Sequence, residues 1–222
     1  MQPIVDQPAW QQARADLLMR EKALTAEADR IAALRRRMPW QRVETAYTFK
    51  GERGVMSLDD LFEGRSQLLV YHHMLRPADP NPCPGCALVG DQIPHLAHLH
   101  ARDTSLVFVS RAPLAEIRNF RQRMGWQMPW VETTGSFNMD FAHSPRGPAM
   151  SVFLREGGSI YHTYSTTGRG LEGLSLWGLL DMTPRGRQER WEVSPEGVPQ
   201  TDPYVWWRLH DSYESEAKAH SG

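Results

Sequence analysis

The sequence is poor in cysteine, with two in 222 residues. It has no apolar stretch near the ~20 residues that a membrane-spanning helix needs. Its N-terminus lacks the basic segment followed by an apolar segment that marks a secretory signal. The formal net charge is −1, which gives no electrostatic basis for binding nucleic acid or an anionic membrane. We therefore expect a cytoplasmic protein with neither nucleic acid nor membrane as a partner.

The first 40 residues predict a helical arm. Pro8 suits the first turn of a helix over residues 8–37, Asp6 suits its cap, and Pro39 stops it. Apolar residues recur along it at helical spacing. This helix either packs on its own domain or forms a homodimer by packing on a second copy of the chain.

The middle of the chain alternates strand and helix patterns. "SQLLVYHHM" and "TSLVFVS" are apolar runs of strand length, and the segment between them carries both cysteines and a helical stretch to about His100. "APLAEIRNFRQRMG" predicts a helix, and "PAMSVFLREGGSIYHTYS" predicts a hairpin. This alternation predicts an α/β protein, and the hairpin makes its sheet mixed.

The cysteines form a C-x-x-C motif, Cys83-Pro84-Gly85-Cys86, that follows a buried strand and opens a helix. This layout is typical of the thioredoxin-like fold. We therefore predict a three-layer α/β/α sandwich with a mixed central sheet. The predicted organisation is an N-terminal arm over residues 1–40, a thioredoxin-like domain over 41–185, and a C-terminal extension over 186–222 packed on that domain.

The position of the motif favours thiol–disulfide exchange. Cys83 would lie at the helix N-terminus, where free N–H groups and the helix dipole stabilise a thiolate. Pro84 fits the first turn, and Gly85 leaves room for a substrate backbone. We predict that Cys83 attacks a protein or small-molecule disulfide and that Cys86 resolves the mixed disulfide. This chemistry needs no cofactor.

Five other residues are candidates for supporting roles. Pro148 is either a cis-proline opposite the cysteines or a trans-proline that opens a strand. His162 and Tyr164 share a face of a regular strand, and they could move protons if that face meets the cysteines. His72 and His73 point to opposite faces of the sheet, so one of them could act as a base beside the second thiol. The three histidines and Tyr164 could equally pack within the sheet.

Two other kinds of function compete with exchange. In a metal-binding protein, Cys83 and Cys86 would join a histidine such as His72, His73 or His162. However, one C-x-x-C motif supplies two of the four ligands that structural zinc usually needs, and we predict no metal. In a binding module, aromatic segments such as "PYVWWRLHDSY" would form a partner groove. A peroxidase is disfavoured, since Pro80 occupies the position of the Thr or Ser that precedes a peroxidatic cysteine.

Several blocks of the sequence together resemble a known family. They are "VYHHM" with "CPGC", "FVSRAPLAEIRNFRQRMGW", "PWVETTGSFNMDF", "SVFLREGGSIYHTYSTTGRGLE" and "LLDMTPRGRQE", and they span roughly residues 8–215. They are similar to the domain of unknown function 899 family. The resemblance implies a thioredoxin-like fold and dithiol–disulfide oxidoreductase activity with Cys83 and Cys86 as the cysteine pair.

Overall fold

A computed structural model of the chain describes residues 2–93, 95–100, 103–142, 147–172, 189–191 and 199–207. The first element is the predicted N-terminal helix, α1 (Gln7–Arg36). Asp6 caps this helix, because the backbone N–H of Ala9 donates a hydrogen bond to Asp6 Oδ1 at 3.0 Å. The described side chains of α1 are exposed along its whole length. None of the described side chains of α1 is therefore buried against its own domain.

Among the described residues, eight strands form one sheet. The strands are β1 (Gln41–Arg42), β2 (Thr48–Gly51), β3 (Gly54–Ser57), β4 (Gln67–His72), β5 (Thr104–Ser110), β6 (Trp130–Glu132), β7 (Ala149–Glu156) and β8 (Ser159–Thr167). The further helices are α2 (Pro84–Asp91), α3 (Ala97–His100), α4 (Leu114–Arg123), α5 (Phe137–Phe141) and α6 (Arg169–Glu172), with a 3-10 helix at Asp60–Phe62.

The strand order of the sheet is β1-β8-β7-β4-β5-β6-β2-β3. Strands β4 and β5 are parallel, while β7 is antiparallel to β4 and β8 is antiparallel to β7. The chain thus runs β4-α2-α3-β5-α4-β6-α5-β7-β8-α6, and β8-β7-β4-β5 are consecutive strands of the sheet. This connectivity is that of the thioredoxin-like fold, and it confirms the predicted mixed α/β architecture.

Each face of the sheet carries its own apolar core. Side chains of β4 alternate between the two, so that Tyr71 joins one core and Val70 joins the other. The core on the Tyr71 face includes residues of α2 and α4, and we call this face the cysteine face. The opposite core includes residues of α5 and of the 3-10 helix. Helices therefore cover both faces, which confirms the three layers.

Two elements between α4 and β7 were not predicted. Strand β6 has three residues and helix α5 has five, which is too short for a periodic pattern to emerge. The helix predicted from the cysteines to His100 is also divided, because α2 ends at Asp91 and α3 begins at Ala97. The division of the domain at residue 185 lies outside the described residues, so that boundary stays a prediction.

A register shift in the hairpin corrects one prediction about its side chains. Tyr164 lies opposite Val152, but His162 lies opposite Phe153. Adjacent residues of β7 point to opposite faces, so one extra residue in β8, Thr163, sends His162 and Tyr164 to opposite faces. The prediction that His162 and Tyr164 share a face is therefore wrong.

Candidate active site

The C-x-x-C motif sits at the N-terminus of α2, just beyond the carboxyl end of β4. Cys83 is the cap residue with an extended backbone, and Pro84 is the first helical residue, as predicted. The backbone N–H of Cys86 donates a hydrogen bond to Cys83 Sγ at 3.4 Å. Both thiols are reduced, with Cys83 half-buried and Cys86 fully buried. The helix N-terminus thus aims its donors at Cys83.

These donors make Cys83 an acidic thiol. Its pKa falls to about 6, chiefly because the Cys86 thiol donates a hydrogen bond to it, and also because the N–H groups of Cys86 and Gly85 point at it. Burial and the negative charge of Asp79 act in the opposite direction. Since the lowering causes prevail, Cys83 is largely a thiolate at neutral pH.

Cys86 has the opposite character. Burial raises the pKa of its thiol well above the ordinary value, and the neighbouring Cys83 raises it further. Two groups work against this rise: the backbone N–H of Met74 and the hydroxyl of Tyr71. The motif therefore holds one charged, half-buried thiol and one neutral, buried thiol.

Tyr71 is the side chain of β4 that meets the cysteines, and the sequence reasoning missed it. Its ring is fully buried on the cysteine face, packed against Phe108 with 4.8 Å between ring centroids. Its hydroxyl faces the Cys86 thiol. The available sequence clue was a phenol within the aliphatic run "QLLVYH", because a fully buried hydroxyl calls for a polar neighbour.

His73 shares the cysteine face, where its recorded partners are a backbone N–H and aromatic rings. The backbone N–H of Leu75 donates to His73 Nδ1 at 3.1 Å, which fixes the proton of the neutral ring on Nε2. Aromatic rings surround it, including Trp130 at 4.5 Å between centroids. Burial lowers the pKa of His73 to about 3. A neutral ring with Nδ1 already occupied is a poor base for Cys86.

The other two histidines lie on the opposite face from the cysteines. His72 Nδ1 is 2.7 Å from Asn138 Oδ1 and His72 Nε2 is 2.9 Å from Ser151 Oγ. His162 packs against Phe141 and Phe153, with centroid distances of 5.0 and 5.2 Å. The structure therefore does not bring either imidazole to the cysteine pair.

Tyr164 and Pro148 have partners other than the thiols. Tyr164 lies beneath the guanidinium of Arg35, which is 5.2 Å from the ring centroid. No cis peptide bond occurs among the described residues, so the Gly147–Pro148 bond is trans and Pro148 opens β7. The cis alternative is wrong at this position. The Pro148 carbonyl instead accepts a hydrogen bond from Thr167 Oγ1 at 3.0 Å.

The C-terminal segment covers one side of the motif. A Cβ placed on Gly85 would lie 2.5 Å from a ring carbon of Trp207, so the indole occupies the space expected to admit a substrate backbone. Trp207 packs edge-on to Tyr204 with 4.7 Å between centroids. The buried carboxylate of Glu189 fastens this segment by accepting from Trp206 Nε1 at 2.9 Å and from the Tyr204 N–H at 3.3 Å.

An open cleft of about 800 Å³ lies at the carboxyl ends of β4 and β5. Its lining includes Met74, Arg76 and Arg111, together with His72 and Asn138 of the opposite face, and neither cysteine lines it. Met74 links it to the thiols, because the Met74 N–H bonds to Cys86. Ligands of open α/β sheets bind at this end of the strands.

The described residues contain no group of three or more His, Cys, Asp or Glu side chains that could hold a metal ion. His72 and His162 cannot join the cysteines, since the sheet lies between them. Within the same described part of the chain, no helix has both the length and the apolarity to cross a membrane.

Comparison with solved structures finds distant likenesses. The chain is similar to a peroxidoxin, BcpB, of Mycobacterium tuberculosis, with 13% identity, a TM-score of 0.45, and coverage of 60% of this chain and 86% of that one. It is also similar to the exposed lipoprotein thioredoxin Etrx1 of Streptococcus pneumoniae, with 12% identity, a TM-score of 0.40, and coverage of 58% of this chain and 99% of that one. A third similar structure is peroxiredoxin Q of Xanthomonas campestris, with 14% identity, a TM-score of 0.42, and coverage of 59% of this chain and 87% of that one.

These likenesses are distant, so the fold assignment rests on the strand order and connectivity of the sheet. No curated protein matches the sequence. The family model described as "Bacterial protein of unknown function (DUF899)" matches residues 1–213. Because this match spans nearly the whole chain, the protein belongs to the domain of unknown function 899 family.

Proposed function

We propose that the protein is a thiol–disulfide oxidoreductase in which Cys83 is the nucleophile and Cys86 is the resolving thiol. The observation that carries the proposal is the asymmetry of the pair. The half-buried Cys83 has a pKa of about 6, while burial holds the pKa of Cys86 well above its ordinary value. A disulfide exchange enzyme needs one thiolate to begin the reaction and one protected thiol to end it.

The reaction proceeds in two exchanges. The Cys83 thiolate attacks one sulfur of a substrate disulfide, so that a Cys83–substrate bond forms, the substrate S–S bond breaks, and the first substrate thiolate leaves. Cys86 then loses its proton and attacks Cys83 Sγ. The intramolecular disulfide forms, the second substrate thiolate leaves, and both thiolates take up protons. The substrate disulfide is reduced and the dithiol is oxidised, and the reverse sequence oxidises a dithiol.

The surroundings of the motif support this chemistry. Met74, whose N–H bonds to Cys86, also lines the cleft at the carboxyl ends of the strands, the end of an open α/β sheet at which ligands bind. We place the protein in the cytoplasm, where a catalytic cysteine pair is the commoner use of disulfide chemistry, and take protein or low-molecular-weight disulfides as its substrates.

The test is a trapping experiment on the full chain. In Cys86→Ser the first exchange still occurs, but the second is blocked. A mixed disulfide with Cys83 should therefore accumulate when the reduced variant meets a disulfide-containing cell extract. Dithiothreitol should release the adducts, and mass spectrometry would identify the substrate.

The matched controls are Cys83→Ser and the double variant. Neither should form adducts, because the buried Cys86 does not attack external disulfides. The proposal fails if Cys86→Ser forms no adducts while wild type also fails to reduce insulin with dithiothreitol as the electron donor. It also fails if Cys83→Ser captures the same partners.

A further inference from the structure

The buried hydroxyl of Tyr71 departs from the rule that buried polar groups are hydrogen-bonded. Tyr71 is fully buried, and its hydroxyl has no hydrogen-bonding nitrogen or oxygen partner among the described residues. Buried hydroxyl groups are nearly always hydrogen-bonded, because leaving one unpaired is unfavourable. The exception therefore calls for a partner that the reduced, resting state does not fully provide.

The group that the hydroxyl faces is the Cys86 thiol. Tyr71 and Cys86 belong to the same core, with neither side chain exposed to solvent. A neutral thiol is a weak acceptor, whereas a thiolate accepts strongly. The Tyr71 hydroxyl is consequently bonded only weakly beside the thiol and strongly beside the thiolate, and this difference favours ionised Cys86.

The reaction needs such help at one particular step. In the resting state the Cys83 thiolate opposes ionisation of Cys86. Once Cys83 is bonded to the substrate its charge is gone, and burial remains as the main obstacle. The donors that face Cys86 are then the Met74 N–H and the Tyr71 hydroxyl. His73 offers no alternative, since Leu75 occupies its Nδ1.

We propose that Tyr71 is a further catalytic residue, whose hydroxyl donates a hydrogen bond to the Cys86 thiolate while that thiolate attacks Cys83 Sγ. Tyr71 keeps its own proton throughout. The proton lost by Cys86 passes to water or to the substrate thiolate that left in the first exchange. This role rests on the proposed function, because it concerns the second exchange of the same reaction.

The test separates the two exchanges with 5,5′-dithiobis(2-nitrobenzoate) as the disulfide. Each reduced protein molecule releases one thionitrobenzoate when Cys83 attacks and a second when Cys86 resolves the adduct. Position 71 is changed by Tyr71→Phe, which removes the hydroxyl and keeps the ring. We expect the first release to be unchanged and the second to slow by about tenfold or more, since a hydrogen bond to a charged group is lost. The pH at which the second release is half-maximal should also rise.

Tyr47→Phe is the matched control, because Tyr47 is a buried tyrosine of the opposite core whose hydroxyl donates to Asp140 at 2.7 Å. It should leave both releases unchanged. The inference is overturned if Tyr71→Phe resolves the adduct at the wild-type rate and pH dependence. It is also overturned if both releases slow together, as they would from a general structural effect. Failure of the proposed function looks different, since wild type itself would then not release the second thionitrobenzoate.

Discussion

The indole of Trp207 lies against Gly85, the glycine between the two cysteines of the motif. It occupies the space that a side chain at position 85 would take. The nearest ring carbon would be 2.5 Å from a Cβ at position 85. Only glycine permits this approach, so the turn of the motif and the C-terminal segment are fitted to each other. The cover leaves Cys83 half-buried rather than fully enclosed.

We predict that Trp207→Ala widens access to Cys83. Insulin reduction should accelerate relative to the reaction with dithiobis(nitrobenzoate), because a bulky disulfide is hindered by the indole more than a small one. Stability should fall by about 1 to 2 kcal/mol, since apolar burial is lost. Rates with both substrates and a denaturant titration measure these effects. Val55→Ala, at an exposed site on β3, is the control. Equal acceleration with both substrates would contradict the idea of a size-selective cover.

The acidity of Cys83 should depend on the Cys86 thiol. In wild type, alkylation of Cys83 by iodoacetamide should rise with pH around a midpoint of about 6. Cys86→Ala removes the donor that contributes most to lowering this pKa, so the midpoint should move to higher pH. Cys86→Ser retains a hydroxyl donor and should move it less. A midpoint that stays at about 6 in Cys86→Ala would assign the acidity to the helix N-terminus alone.

His73 should make the fold sensitive to acid. Its pKa is about 3 in the folded state and 6.5 in the unfolded state. Between these values the unfolded chain binds the proton and the folded chain does not. Stability from this site is therefore complete above pH 6.5 and is lost as the pH falls, with a slope of up to about 1.4 kcal/mol per pH unit.

Urea unfolding at several pH values measures that slope. His73→Gln, which retains an acceptor for the Leu75 N–H, should flatten it. His100→Gln, at a half-exposed position, should leave it unchanged. If His73→Gln and wild type lose stability in parallel, other groups are responsible for the acid response.

The N-terminal helix should mediate self-association. Trp10, Leu17, Leu24 and Ile31 recur every seven residues, and all four are exposed. Such a stripe pairs well with a second helix. We expect wild type to sediment as a dimer and a variant carrying Leu17→Glu and Leu24→Glu to sediment as a monomer. Gln11→Glu with Ala26→Glu, on the opposite side of the helix, should remain dimeric. A monomeric wild type would contradict the predicted homodimer.

Elements that depend on local chemistry were predictable from the sequence. Pro84 opens α2 because its fixed φ and missing N–H suit a first turn, and Cys83 is therefore the cap. The long apolar runs of β4 and β5 identified the central strands because strands buried on both faces are continuously apolar.

Features that depend on contacts between distant segments were not predictable. The extra residue at Thr163 shifts the register of β8, and a strict alternation of side chains cannot reveal such a bulge. The interaction of Tyr71 with Cys86 depends on how helix α2 packs on strand β4. The contact of Trp207 with Gly85 joins positions more than a hundred residues apart, and the sequence around neither residue predicts it.

The Glu189 carboxylate has a consequence beyond holding the C-terminal segment in place. It accepts hydrogen bonds from Trp206 and Tyr204, so it fastens the segment that delivers Trp207 to the cysteine turn. A disulfide bulky enough to displace the indole competes with this docking. Thermodynamic reciprocity then requires that the bound substrate weaken the docking of the segment by the same free energy as that by which the docked segment weakens substrate binding. Binding of such a substrate at the cysteines would thereby change how firmly the C-terminal segment is docked.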